Sequence, residues 1–105
     1  MTADEFYERF YATSGLPKHL VTATLRSLAA ALEMPEATLR PGDRFGEELK
    51  PVRGWELDDG TVVLSAELTD LAERAGIAID LQNVSTLDDY IRSRISVEIA
   101  IVRRV

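Results

Sequence analysis

Four apolar positions between Lys18 and Glu33 constrain this chain more than any other feature. Val21, Leu25, Leu28 and Leu32 recur at i, i+4, i+7 and i+11, which is one face of an α-helix. Ala23 and Ala29–Ala31 add helix propensity, and Pro35 ends the run because the residue before a proline avoids helical geometry. The spacing predicts a long amphipathic helix. Such a helix must lay its stripe against other apolar elements, and the rest of the chain has to supply them.

Several segments are patterned to do so. Thr2-Ala3-Asp4-Glu5 has the form of a capped helix start, with Thr2 as the cap and Glu5 reaching back. Phe6 and Phe10 are four apart, as are Tyr7 and Tyr11, so a short helix over about 3–13 carries aromatics suited to a packed face. Gly15 and Pro17 interrupt it. Met34–Leu49 reads as a loop whose Leu39, Phe45 and Leu49 drop into the core. Leu64, Leu68, Leu71, Ala72 and Ala75 make a second helical stripe, stopped by Gly76, with Glu67, Asp70 and Glu73 on its polar side. Ile77 and Ile79 are expected to return to the core. Ser85 or Thr86 is placed to cap a last helix with Leu87, Tyr90 and Ile91 facing inward.

Two segments read as β-structure. Trp55-Glu56-Leu57 and Thr61–Leu64 flank Asp58-Asp59-Gly60, and Asp-Gly between apolar runs is a hairpin signal, here over about 52–64. The same turn chemistry accounts for the Asp58–Asp59 pair, and Trp55 is either a core anchor or an exposed contact. In the tail, Ile95, Val97, Ile99 and Ile101 alternate as in a strand, while Ile91, Ile95, Ile99 and Val102 also fit a helix face. The β-branched content tips the expectation to a strand over about 95–102, able to pair with the hairpin.

Composition narrows the function. At 105 residues the chain is read as one domain, 1–105. It has no stretch near the roughly 20 apolar residues of a membrane span and no secretory-type start. It has no cysteine, which removes thiolate metal sites and cysteine nucleophiles and fits a cytoplasmic setting. His19, the one histidine, stands alone and reads as a surface residue. With no phosphate loop and no nucleophile elbow, no catalytic or metal-ligating residue is assigned. The net charge is −6, concentrated in residues 36–91, which hold thirteen acids against five bases. An acidic middle argues against nucleic acid, whose phosphates call for a basic face, and favours a protein partner rich in Lys and Arg.

Taken in order, Leu32, Leu39, Phe45, Glu47-Glu48 and Leu49, then Glu67–Asp80, then Val84–Ile91, resemble the acyl carrier proteins. These are small four-helix domains that ferry acyl or peptidyl groups on a phosphopantetheine arm. The resemblance runs from 32 to 91 and, with the helix before it, places a carrier-like region at about 18–94. It implies a mainly α fold: a carrier-like four-helix bundle with an extra N-terminal helix, to which the hairpin and tail strand are added. It also implies that Glu67, Asp70 and Glu73 form the partner-recognition helix, with Trp55 as a further contact. The family's Gly-x-Asp-Ser-Leu attachment motif has no counterpart. Gly60-Thr61-Val62 falls over it, and Ser65, the one serine nearby, lies about a turn inside the helix. Thr61 and Ser65 are therefore the only candidate attachment hydroxyls. Between Ile79 and Thr86 there is room for only a turn or a shortened third helix.

The expected function is a non-catalytic, carrier-like protein without a covalent cofactor. It docks through its acidic helix on a basic surface of a synthase, ligase or transferase. One alternative is a working carrier modified at Thr61 or Ser65. Another is a small structural or regulatory protein that dimerises through its tail.

Overall fold

The computed structural model describes residues 2–45, 49, 60–79 and 83–103, with the side chains of 60–65 left out. Its regular structure is helical: α1 Ala3–Phe10, α2 Lys18–Leu32, α3 Gly60–Ala75 and α4 Leu87–Arg103, with a short 3-10 turn at Glu36–Thr38. The protein is a mainly α four-helix bundle. Among the described residues there is no strand, only isolated bridges such as that between Arg44 and Thr86. None of these helices is long and apolar enough to cross a membrane.

α2 is the hub. Its predicted stripe of Val21, Leu25, Leu28 and Leu32 is fully buried, and α1, α3 and α4 all pack against it. The helix ends with Glu33 in the left-handed region at φ 53°. There the N–H groups of Glu33 and Met34 donate back to the carbonyls of Ala30 and Ala29. This cap stops the helix two residues before Pro35. α1 forms the expected capping box between Thr2 and Glu5 and ends at Phe10, shorter than the predicted 3–13. It buries Phe6, and Tyr11 just beyond it, into the shared core. Gly15 makes the corner into α2 at φ +81°, which a side chain would disfavour.

Both β expectations need correction. The tail is not a strand over 95–102, because α4 runs through Arg103. Ile95 and Val97 are both buried although they lie on opposite sides of a helix, so α4 is covered from two directions. A helix covered in that way alternates in sequence much as a strand does. Packing overrides the β-branched preference. The hairpin over 52–64 also fails where it is described, since Gly60–Leu64 opens α3. Asp-Gly precedes a helix as readily as it tips a hairpin, and the stripe begun at Leu64 belongs to the helix. The other arm, with Trp55, lies outside the described residues. Ile77 does not return to the core, being 36% exposed, whereas Ile79 packs on its edge.

The start of α4 is held by contacts from far along the chain. A helix leaves its first N–H groups without intrahelical acceptors. Here Leu87 N–H donates to the Asp43 carbonyl at 2.8 Å and Asp88 N–H to the Pro41 carbonyl at 2.9 Å. Asp89 N–H donates to Thr86 Oγ1 at 3.1 Å, as the sequence predicted for a Ser85 or Thr86 cap. In return Asp89 Oδ2 accepts from Thr86 N–H, Ser85 N–H and the Ser85 hydroxyl. Tyr11 closes the other side, its hydroxyl donating to Asp88 Oδ1 at 2.5 Å. Burial, then the bond to Asp88, pushes the Tyr11 pKa far above its usual range, so this donor keeps its proton.

Burial works against the charge on Asp89, but the donors from Ser85 and Thr86 outweigh it and hold its carboxyl below the usual carboxylate range. Its folded pKa is therefore below its unfolded one, and the unfolded state binds the proton more readily. The stabilisation is present above the unfolded pKa of about 3.9 and is lost as pH falls through the folded value. We expect Asp89→Ala to cost about 1 kcal/mol at pH 7 in urea unfolding. The gap from the parent protein should close below about pH 4. A gap of equal size at pH 7 and pH 3 would contradict this account of the cap.

Candidate partner-binding surface

α3 leaves its hub-facing residues Leu68, Ala72 and Ala75 buried and turns Glu67, Asp70 and Glu73 outward. The three carboxylates recur at i, i+3 and i+6, close enough to the helical repeat to share a side of the helix. Alongside them a groove of about 590 Å³ opens between α2 and α3. Its α2 wall is small side chains, Ser27, Ala30 and Ala31, and its α3 wall is Glu67, Asp70 and Leu71. Arg94 of α4 also lines it.

Arg94 is the residue that sequence reading missed. Its side chain is 15% exposed, and it links α3 to α4. Nη1 donates to Glu67 Oε2 at 3.2 Å and to the Tyr90 hydroxyl at 2.9 Å, while Nε donates to Glu98 Oε1 at 3.0 Å. Burial alone would lower the Arg94 pKa, but Tyr90 and Glu98 outweigh it and leave the guanidinium more firmly charged than usual. Tyr90 is itself buried, with its pKa raised for that reason, and packs edge-on against Phe45. The i, i+4 spacing of Tyr90, Arg94 and Glu98 was the available signal. The contact with Glu67, 27 residues away, was not.

The acidic face is therefore partly occupied by the protein's own cations. Glu67 pairs with Arg94, and Asp70 pairs with Arg74 across one turn at 3.0 Å. The Asp70–Arg74 pair is well exposed on both sides, so it contributes little and can exchange for another cation. Glu67 is 48% exposed and keeps one edge toward solvent. Glu73 is exposed. Of the other predicted site residues, Thr61 is the second residue of α3 and Ser65 the sixth, with side chains outside the described set. Trp55 is also outside it. His19 is on the surface, as expected. Among the described residues no group of three or more His, Asp or Glu is placed to hold a metal ion.

Comparison of the chain with protein-family models, with curated proteins and with solved structures found no match.

The geometry separates two roles on this surface. Arg94→Ala removes a mostly buried donor to three partners and should cost about 1–3 kcal/mol. Glu67→Gln keeps the shape, touches only a screened pair and should cost under about 1 kcal/mol. Equilibrium urea unfolding of both variants checks the order. Equal costs would mean that Glu67 is a structural residue and not one available to a partner.

Proposed function

We propose that this chain is a non-catalytic docking protein of acyl-carrier-like build, which presents α3 to a basic surface of a partner enzyme and carries no covalent phosphopantetheine. The observation that supports it is the row Glu67, Asp70 and Glu73 on the outer side of α3, beside a groove walled on α2 by Ser27, Ala30 and Ala31. A lysine or arginine from the partner can lay its aliphatic stem along Ala30, Ala31 and Leu71 and set its charge between Asp70 and Glu67. Asp70 releases Arg74 at small cost, so the exchange is nearly even before the partner's other contacts are counted. The partners meant are a synthase, ligase or transferase, the enzyme classes that a carrier-like domain serves. The family's attachment serine is missing from the sequence, and this supports docking without a tethered group.

A working carrier is the competing reading, modified at Thr61 in the first turn of α3 or at Ser65 a turn further in.

Intact mass after incubation with a phosphopantetheinyl transferase and coenzyme A should be unchanged, and a gain of one arm would make the chain a working carrier. In the same preparation, Asp70→Lys with Glu73→Lys leaves the Arg94 network intact. Surface plasmon resonance against candidate synthases, ligases and transferases should show at least about tenfold weaker binding for this double variant, and weaker binding for the parent at high salt. Undiminished binding by the double variant would refute docking through α3.

A further inference from the structure

The three carboxylates on the outer side of α3 are not equally free to meet a partner. Glu73 is exposed and has no ion pair with a described residue. Asp70 holds Arg74 at 3.0 Å, but both side chains are more than half exposed, so that bond exchanges readily. Glu67 is different. Its Oε2 accepts from Arg94 Nη1 at 3.2 Å, and Arg94 is anchored from behind. Nη1 also donates to the Tyr90 hydroxyl at 2.9 Å, and Nε donates to Glu98 Oε1 at 3.0 Å. Withdrawing the guanidinium from Glu67 would strip Glu98, and Tyr90 at 2% exposure, of the same donor. Arg74 can therefore give way to an incoming cation, and Arg94 cannot.

Arg94 also lines the groove between α2 and α3, beside Glu67 and Asp70. A fixed positive charge thus stands in the recess that a partner's lysine or arginine would enter. It acts on that cation in two opposite ways. By fixing Glu67 it spares the partner the entropy of ordering that side chain, worth at most about tenfold in affinity. By repelling the cation across the shared carboxylate it opposes binding. Two unit charges roughly 6 Å apart near a protein surface repel by the equivalent of about a hundredfold before salt screening. Repulsion wins at low ionic strength.

We propose that Arg94 is a fixed internal competitor on the α3 surface, which lowers its affinity for a basic partner and moves the main contact from Glu67 toward Asp70 and Glu73. This role presupposes docking on α3, as proposed above, and decides which of its acids a partner meets. Positions 70 and 73 are three apart and so are neighbours on the helix, which suits a partner with two basic groups at that separation. A single cation seated against Glu67 gains least.

A hexalysine peptide titrated into the full chain at low salt, followed by the side-chain carboxyl carbon shifts of Glu67, Asp70 and Glu73, tests this role. In the parent Asp70 and Glu73 should move more than Glu67. Two neutral variants guard against a failure to fold: Arg94→Gln can still bond to Tyr90 and Glu98, and Arg94→Met keeps the apolar stem, with circular dichroism as the check. In either, the peptide should bind at least about threefold tighter, with Glu67 now moving as far as Asp70. Arg94→Lys restores the charge and should bring the affinity back to within about twofold of the parent. Neutral variants that bind no tighter, while Asp70 and Glu73 still respond, overturn the competitor and leave docking on α3 intact. An equal gain in Arg94→Lys also overturns it, because loosened packing and not charge would then be the cause. If none of the three carboxyls responds in any variant, docking on α3 falls and the competitor with it.

Discussion

The burial of one face of α2 is the interaction on which the rest of the structure depends. Val21, Leu25, Leu28 and Leu32 are removed from water, and α1, α3 and α4 each pack against the helix that carries them. Isolated helices as short as α1 are marginal in water, so such an element is helical chiefly because it has α2 to pack on. The same holds for the long-range polar contacts. Tyr11 reaches Asp88, and Arg94 reaches Glu67, only because α2 sets α1, α3 and α4 at fixed positions around it.

α4 is the element most dependent on that arrangement. Its first N–H groups are satisfied by carbonyls of Pro41 and Asp43 in the loop that Leu39 and Leu49 anchor in the core. Its middle carries Tyr90, Arg94 and Glu98, and its last turn packs Ala100 and Ile101 on the core but leaves Val102 exposed. One helix thus joins the loop, the acidic helix and the exposed apolar end. A partner seated on α3 would bear on Glu67 and, through Arg94, on α4.

What the sequence disclosed was local. The Thr2–Glu5 capping box, the α2 stripe, the Gly76 stop and the Thr86 cap each depend on residues within a few positions of one another, and each stands as expected. The acidic row on α3 was legible for the same reason. The tail was misread because a helix buried on two sides loses its one-sided period, leaving β-branched alternation as the stronger signal. Val102 in register with Ile91 and Ile95 was the clue to the helix, and its exposure could not be known before the body around it was. The hairpin expectation failed at Gly60 because one dipeptide serves both turn and helix start. Arg94 was invisible for another reason: a base between Tyr90 and Glu98 looks solvated until α3 places Glu67 beside it.

If α2 is the common support of every other helix, native-state amide hydrogen exchange reveals it most directly. The amides of Leu25, Leu28 and Leu32 should exchange only through global unfolding, with free energies at least equal to the slowest in α1, α3 and α4. They should rise and fall with denaturant as the whole molecule does. If α2 instead exchanged through local opening while α3 and α4 stayed protected, those two helices would hold together without it. The hub would then lie between α3 and α4.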